Sequence, residues 1–320
     1  MDKRQIGQTG VWITPLMFGT SGLGHMPDTY GYGVDETRAR ATLEAIFDGP
    51  VNCLDTSNNY GMGRSETRIG AAIRARGGLP QDFVISTKLD RDMDTGRFDA
   101  AQARRSLETS LERLGLDRVG LLHLHDPEHA ADLSEITRPG GSLDELFRMK
   151  EEGLAGAVGL AMGRIDMMFP ILKDRPFDAL INHNRWTLLN RSAGEMFDYA
   201  HAHGISVLNA APFAGGVLAK GADVMPKISY SPADETALAP VRAIEAATAR
   251  HGIATGAAAL QFSTRDPRIT STIVGVSRPE RARQTLDWDQ IEIPPALRAD
   301  LDALPADMTD PEAHRVYDPG

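Results

Sequence analysis

Eight short apolar runs, each followed by a segment of helical pattern, succeed one another along most of this chain of 320 residues. This alternation is typical of a parallel sheet, because each crossover connection lays a helix against the strands. Eight units in about 250 core residues favour a closed (β/α)8 barrel, the TIM-barrel form of the α/β class. The predicted strands are Leu16 to Gly19, Val51 to Leu54, Phe83 to Thr87, Val119 to Leu124, Ala155 to Leu160, Ala179 to Asn182, Ser206 to Leu208 and Ile269 to Val274.

The alternative, an open doubly wound sheet, predicts a G-x-G-x-x-G motif after an early strand. The stretch Gly19-Thr20-Ser21-Gly22-Leu23-Gly24 does not have that spacing, and no other stretch has it. The predicted helices are Asp35 to Asp48, Glu66 to Arg76 with Ser65 as its cap, Asp99 to Leu114, Ser142 to Glu152, Arg164 to Lys173, Ala193 to His203, Thr236 to His251, Thr255 to Phe262 and Pro279 to Leu286.

The two ends of the chain stand outside this repeating unit. Gln5 to Thr14 has the pattern of a β-hairpin that turns at Thr9-Gly10, and Gly19 to Gly33 reads as a long glycine-rich loop. The tail from Ala306 to Gly320 shows no clear pattern. Because no linker or composition shift divides the chain, we expect residues 1–320 to form a single domain.

Composition narrows the classes of function. The net charge of −10 argues against a surface for nucleic acid or anionic membrane. Cys53 is the only cysteine, which excludes an intrachain disulfide framework and fits a reducing compartment. No apolar run approaches membrane-spanning length, and the first residues lack the apolar region of a secretion signal. We therefore expect a cytoplasmic protein that acts on a small molecule, in an oligomeric state that no sequence pattern indicates.

Titratable side chains cluster where three neighbouring predicted strands end. Asp55 ends the second strand and Tyr60 lies on its loop, Lys88 ends the third strand, and His125 ends the fourth. In a (β/α)8 barrel the loops after the strands build the active-site mouth, so these side chains are expected to meet on one face. The plainer alternative is that they are unrelated polar residues of the barrel rim.

The four residue types suit proton transfer. A buried Lys88 requires a carboxylate, and Asp55 is the nearest candidate along the barrel. A lysine beside a tyrosine hydroxyl favours the phenolate, so we expect Lys88 to lower the pKa of Tyr60. A tyrosine tuned in this way can give and take protons near neutrality.

The pattern resembles the aldo-keto reductases over nearly the whole chain. The matching stretches are Asp55-Thr56-x-x-x-Tyr60-Gly61, Ser65-Glu66 with Gly70, Lys88, and Leu116-Asp117 leading to His125. Similarity to the branch of D-threo-aldose 1-dehydrogenases and L-fucose dehydrogenases rests on Phe177-Asp178, Arg185-Trp186-Thr187-Leu188-Leu189, Asn209-Ala210-Ala211-Pro212-Phe213 and Gly216-Val217-Leu218.

The resemblance implies roles for the clustered residues. Tyr60 would be the general acid/base, Lys88 would lower its pKa, and Asp55 would pair with Lys88. His125 would polarise or orient the substrate oxygen, while a nicotinamide cofactor carries the hydride. The implied cofactor contacts are Gly19, Thr20, Asn184, Pro212, Phe213, Gly215, Leu218, Gly275, Ser277, Arg281 and Gln284, and the candidate substrate contacts are His123, His183 and Trp186.

Three positions depart from the family pattern. Ala161-Met162 stands where many relatives have a Ser-Asn pair that grips the nicotinamide amide. Asn184 replaces a common glutamine, and Ala210 stands where an aromatic ring often stacks on the nicotinamide. These departures leave the cofactor's detailed contacts open.

The helix start after Gly275 bears on the choice of cofactor. Ser277 and the free N–H groups of a helix start can hold an anion. Arg281 matches the family arginine that clamps the 2′-phosphate of NADP, whereas Val276 replaces a lysine of many NADP-preferring relatives and Glu280 adds a negative charge. The expectation is NADP(H), with NAD(H) as a second cofactor.

Other functions remain as alternatives. Oxidation of a sugar at C1 and reduction of a sugar aldehyde use the same four residues, and another carbonyl compound, such as a pyridoxal-like aldehyde, is a second class of substrate. His123 and His125 share one side of a strand and could bind a metal in a barrel hydrolase, although no further cluster completes such a site. A cofactor-binding sensor or channel-associated subunit is a third class. We predict no metal.

Overall fold

Eight parallel strands close into a barrel in the computed structural model, which describes residues 1–229 and 231–312. The barrel takes the third to the ninth strand in chain order and then the twelfth, which pairs with the third to complete the circle. The strands are β1 Arg4–Gln5, β2 Trp12–Ile13, β3 Leu16–Gly19, β4 Cys53–Asp55, β5 Val84–Leu89, β6 Val119–His125, β7 Ala155–Ala161, β8 Ala179–His183, β9 Ser206–Ala210, β10 Lys227–Ile228, β11 Ser231–Pro232 and β12 Ile269–Gly275. The predicted (β/α)8 barrel is confirmed.

Helices follow the strands as the alternation predicts. They are α1 Pro27–Tyr30, α2 Glu36–Phe47, α3 Arg64–Ala75, α4 Ala100–Leu114, α5 Ser134–Thr137, α6 Ser142–Glu151, α7 Ile165–Asp174, α8 Gly194–Ala202, α9 Val217–Lys220, α10 Glu235–Arg250, α11 Thr255–Thr264, α12 Pro279–Gln290 and α13 Pro295–Asp302. None of the helices in the described residues is long and apolar enough to cross a membrane.

Residues alternate along each strand between two apolar layers. Leu16 and Phe18 of β3 belong to the large core between strands and helices, whereas Met17 between them belongs to the core inside the barrel. This two-sided burial explains why the strands read as continuous apolar runs. The N-terminal hairpin, β1 with β2, is confirmed, and its Ile6 and Ile13 pack with the interior core.

The start of α3 differs from the prediction. Asp35 and Asp99 cap α2 and α4 through their side chains, but Ser65, which was predicted to cap α3, does not. Gly63, at φ 86°, is the cap residue instead, so the helix begins before Ser65. The buried Ser65 hydroxyl bonds Thr20, 2.9 Å from Oγ1, and thereby ties α3 to the end of β3.

Strand ends and loops also differ in detail. β6 ends at His125 as predicted, whereas β5 continues one residue beyond Lys88, to Leu89. The glycine-rich loop contains α1 and a short 3-10 turn over Ser21–Gly24, and α13 had no counterpart in the prediction. Short runs of this kind lack the periodicity that marks longer helices.

The C-terminal tail is anchored where the structure describes it, up to residue 312. Asp307 exchanges backbone hydrogen bonds with Leu189 and Arg191, at 2.9 and 2.8 Å. The fully buried Arg185 then holds Asp310 at 2.6 Å and Glu312 at 2.9 Å. Residues 313–320 of the predicted tail lie outside the described part of the chain.

Candidate active site

Lys88, Asp55 and Tyr60 meet at the carboxyl ends of β4 and β5. Lys88 Nζ lies 2.8 and 2.7 Å from the two Asp55 carboxylate oxygens and 3.3 Å from the Tyr60 hydroxyl. Only 2% of Lys88 is exposed, so the carboxylate supplies the counter-charge that burial demands. The loop that carries Tyr60 passes so close to Gly24 that a Cβ on Gly61 would lie 1.9 Å from the Gly24 carbonyl oxygen. Glycine is therefore required at position 61.

The pKa of Tyr60 differs from the expectation. Burial disfavours the phenolate and the Asp55 carboxylate repels it, so the pKa of Tyr60 lies well above its usual value. Lys88 does not reverse this, because its charge is already matched by Asp55 and it also donates to the Thr56 carbonyl oxygen. The Tyr60 hydroxyl therefore carries its proton at neutral pH, which suits a proton donor.

His125 completes the predicted group of four. Its ring meets the Tyr60 ring edge-on, with 6.0 Å between the centroids. Burial on its own would lower the pKa of His125, but the carboxylates of Asp126 and Asp90 outweigh it and raise that pKa above its usual value. The structure thus brings Asp55, Tyr60, Lys88 and His125 together.

Asp90 and Ser57 belong to this cluster and were not predicted. Asp90 Oδ1 lies 2.6 Å from His125 Nδ1, and Ser57 Oγ lies 2.5 Å from Asp90 Oδ2. One signal was available in the sequence. Asp90 stands two residues after Lys88, a spacing that puts both side chains on one side of a strand.

The candidate substrate contacts separate into different environments. His183 ends β8 and is 25% exposed, and it lies close enough to His125 for their charges to interact. His123 is fully buried, so the geometry gives no support to a substrate contact. The Trp186 ring stacks on Phe262 of α11 and approaches Phe197 of α8, contacts that favour a packing role over a substrate contact. It therefore packs between helices.

The possible metal pair receives no support from its surroundings. Burial, with the charges of Lys88 and His125, holds the pKa of His123 well below its usual value. Its ring packs so closely that a Cβ on Gly159 would lie 2.5 Å from His123 Cδ2. Among the residues that the structure describes, no cluster of three or more His, Cys, Asp or Glu side chains could hold a metal ion.

Cations gather at the start of α12, where the cofactor phosphate was expected. Burial and the nearby Arg281 and Arg278 lower the pKa of Lys220, and burial with Arg278 also lowers that of Arg281. Within the described residues no ion pair involves these three cations, so a bound anion would supply the counter-charge that they lack. Gly275 leaves open space at the end of β12. Lys220 was not predicted from the sequence.

The other cofactor candidates differ in what they can offer. Asn184 is buried with its Oδ1 unpaired among the described residues, and it could accept from an amide N–H. Thr20 is less available, because its hydroxyl donates to the Asp55 carbonyl oxygen at 2.9 Å. The Leu218 side chain packs into an apolar cluster beside α10, which leaves only its backbone for a ligand.

The remaining candidates lie in the loop after β9, from the end of β12 into α12, and at the end of β3. Phe213 is half-buried and meets the Trp288 ring edge-on at 5.8 Å, so packing already engages it. Pro212 is buried and Gly215 exposed. Gln284 accepts a hydrogen bond from Arg281, and Ser277 and Gly19 lie at the ends of the paired strands β12 and β3. Together with Asn184 and the cations, these residues fit a dinucleotide that carries phosphates.

Comparison with known proteins adds independent information. The model of the Aldo/keto reductase family matches residues 15–304. D-threo-aldose 1-dehydrogenase of Pseudomonas sp is 29% identical, with 91% of this chain and 94% of that protein aligned. L-galactose dehydrogenase of Arabidopsis thaliana is 28% identical over 89% and 87%. Pyridoxal 4-dehydrogenase of Microbacterium luteolum is 27% identical over 92% and 94%.

Solved structures show the same fold. The holo form of an aldo-keto reductase from Bacillus halodurans superposes with a TM-score of 0.78 at 21% sequence identity, covering 99% of this chain and 100% of the other.

Proposed function

Because the chain belongs to the aldo/keto reductase family, an assignment that makes it an NAD(P)-dependent oxidoreductase, we propose that it moves a hydride between nicotinamide and a sugar or sugar-derived aldehyde or lactol. The observation that carries the proposal is the contact of Lys88 Nζ with both Asp55 oxygens and with the Tyr60 hydroxyl. This arrangement supports proton transfer at one substrate oxygen.

Four side chains divide the proton chemistry in this proposal. A nicotinamide, when bound, supplies or accepts the hydride at the reacting carbon. Tyr60 donates its Oη proton to the substrate oxygen in reduction and takes a proton back in oxidation. Lys88 stabilises the phenolate while the proton is absent, and Asp55 holds Lys88 in place. His125 binds the same substrate oxygen beside Tyr60.

The sugar class of substrate rests on two observations. Two similar proteins carry the names of aldose and galactose dehydrogenases. The polar side chains of His183, Asn184 and Asp126 near His125 suit hydroxyl groups, which both donate and accept hydrogen bonds. A pyridoxal-like aldehyde is the second candidate, favoured by the similarity to a pyridoxal dehydrogenase.

We expect NADP(H) to be preferred and NAD(H) to be used as well. Arg281, Arg278 and Lys220 offer positive charge for a 2′-phosphate. The exposed Glu280 at the same helix start works against that phosphate, which limits the preference.

A cofactor and substrate screen tests the proposal. The enzyme is dialysed against a chelator and then mixed with NAD+ or NADP+ and a panel of aldoses, or with NADH or NADPH and aldehydes including pyridoxal. We expect turnover with an aldose at the nicotinamide absorbance band, undiminished by the chelator. Turnover of pyridoxal alone would select the second candidate. The absence of turnover with every sugar and aldehyde, or activity restored only by zinc, would overturn the proposal.

A further inference from the structure

Asp90 holds one nitrogen of the His125 ring in a fixed setting. Its Oδ1 lies 2.6 Å from His125 Nδ1, and its Oδ2 accepts from Ser57 Oγ at 2.5 Å and from the Asn59 backbone N–H at 3.0 Å. The Asp90 backbone N–H donates to Ser106 Oγ of α4 at 2.9 Å. Only 2% of Asp90 is exposed. The loop after β4 therefore holds the Asp90 carboxylate and α4 holds its backbone, before any substrate binds.

These contacts determine where the ring proton resides. A carboxylate has no hydrogen to donate, so Asp90 Oδ1 can only accept from His125, and Nδ1 must carry the hydrogen. A neutral imidazole has one N–H, which leaves His125 Nε2 with a lone pair and no hydrogen. A charged ring has hydrogens on both nitrogens.

We propose that Asp90 is a positioning residue, which keeps the proton of the neutral His125 ring on Nδ1. The ring then meets a substrate oxygen through Nε2 as an acceptor when neutral, and as a donor only when charged. A substrate hydroxyl can donate to the neutral ring, whereas a carbonyl oxygen, which only accepts, needs the charged one. Oxidation and reduction thus call on opposite protonation states of a single side chain.

Several charged or titratable groups face His125 and set its titration. Asp126 Oδ2 lies 3.5 Å from His125 Nε2, on the side opposite Asp90. Asp126 and Asp90 favour the charged ring, while burial and Lys88 disfavour it. Tyr60 and His183 from other elements, and His123 from the same strand, complete this environment.

Nitrogen NMR of 15N-histidine-labelled protein tests the proton position directly. The shifts of the two ring nitrogens differ between N–H and lone-pair forms, and His125→Asn identifies the His125 signals by their loss. At a pH above the titration of His125 we expect the wild-type ring to carry hydrogen on Nδ1. Asp90→Ala should return the ring to a mixture of tautomers. Hydrogen on Nε2 in the neutral wild-type ring would overturn the proposal.

Two matched variants separate positioning from simple charge. Asp126→Asn removes an equal charge from the other side of the ring. It should therefore lower the pKa of His125 but leave the hydrogen on Nδ1. Asp94→Asn, at an exposed position on the same loop as Asp90, should change neither quantity. If Asp126→Asn displaced the hydrogen as Asp90→Ala does, Asp90 would have no special role.

The pH profiles of turnover provide the kinetic test. Since the pKa of His125 is raised, reduction should be supported below that pKa and decline above it, while oxidation should rise through it. Asp90→Asn should move the pH profiles of reduction and of oxidation to lower pH together, by about 1–3 pH units. If both pH profiles stayed in place, the proposed role of Asp90 would be contradicted. The kinetic arm rests on the proposed function, whereas the NMR arm needs no turnover, so the two failures can be told apart.

Discussion

Lys88 shows how one side chain's surroundings decide its effect on a neighbour. Its ammonium group lies 2.5 Å from the Thr56 carbonyl oxygen and under 3 Å from both Asp55 oxygens, but 3.3 Å from the Tyr60 hydroxyl. Its positive charge is therefore compensated mainly by Asp55, and the Tyr60 hydroxyl stays protonated. Lys88 can still stabilise negative charge on Tyr60 once the proton has moved to the substrate.

Tyr60→Phe removes the proton that the proposed function requires. We expect the fold and cofactor affinity to persist, while turnover falls roughly 10²–10⁴-fold, the usual contribution of general acid–base catalysis. Circular dichroism measures the fold, fluorescence titration the cofactor affinity, and steady-state kinetics the turnover. Tyr199→Phe on α8, where the ring stacks on His203, is the control and should keep its rate. Near wild-type turnover by Tyr60→Phe would show that another group moves the proton.

The start of α12 is an element built to attract an anion. No side chain caps this helix start, and Arg278, Arg281 and Lys220 add positive charge there from two helices. The mutual repulsion of these cations costs stability, which a bound phosphate would recover.

Arg281→Ala should weaken NADP binding by roughly 10- to 150-fold, since a charge-assisted hydrogen bond contributes about 1.5–3 kcal/mol. NAD lacks the 2′-phosphate and should bind almost unchanged. Fluorescence or calorimetric titration of both cofactors measures the difference. Arg283→Ala, at an exposed position on the same helix, is the matched control. Equal loss for both cofactors would make Arg281 a structural residue.

Glu128 connects the turn after β6 with the loop after β7. Its Oε1 accepts from the Gly163 backbone N–H at 3.1 Å. Burial, aided by the Asp126 carboxylate, raises the pKa of Glu128 to about 7. The folded state therefore binds this proton more tightly than the unfolded chain. The stability it contributes is complete below the ordinary pKa of a glutamate and is lost as the pH rises through about 7.

Glu128→Gln mimics the protonated side chain and removes this loss. Compared with wild type, the variant should be more stable at pH 8.5 by about 1–3 kcal/mol and nearly equal at about pH 4. Urea unfolding across that pH range measures the difference. Glu108→Gln, at an exposed site on α4, should show no such trend. A difference that did not grow with pH would contradict the assignment.

At the scale of the whole molecule, the C-terminal tail closes onto the barrel through one buried ion cluster. Arg185 is fully buried after β8 and holds both Asp310 and Glu312, more than a hundred residues further along the chain. Glu312 in turn lies 3.7 Å from His183 Nδ1 at the barrel mouth. The cluster therefore links the tail to the site.

Arg185→Met should lower the free energy of unfolding by about 3–5 kcal/mol, because it removes the partner of a buried carboxylate. Urea denaturation measures the loss. Arg242→Met is the control, since Arg242 forms ion pairs with Glu235 and Asp223 at the surface and should cost about 0–1 kcal/mol. A loss below 1 kcal/mol for Arg185→Met would show that the tail stays bound to the barrel without this cluster.

Much of this architecture was predictable because it depends on local patterns. Apolar runs bounded by helical segments identified all eight barrel strands, since both faces of each strand are buried. The rule that polar residues at strand ends share one face correctly brought Asp55, Lys88 and His125 together. The helices that begin at Asp35 and Asp99 were predicted for the same reason, because a capping side chain bonds only to its own helix.

The rest depended on distances between residues that are far apart in the chain. The raised pKa of Tyr60 follows from burial and from how Asp55 shares Lys88, and no local pattern reports either quantity. Trp186 faces helices α8 and α11, a direction set by how the loop after β8 turns. The contact of Asp90 with His125 joins two strands, and the Arg185 cluster joins the tail to the barrel. Only the closed barrel determines these contacts, because electrostatic effects depend on separation in space and not on separation along the sequence.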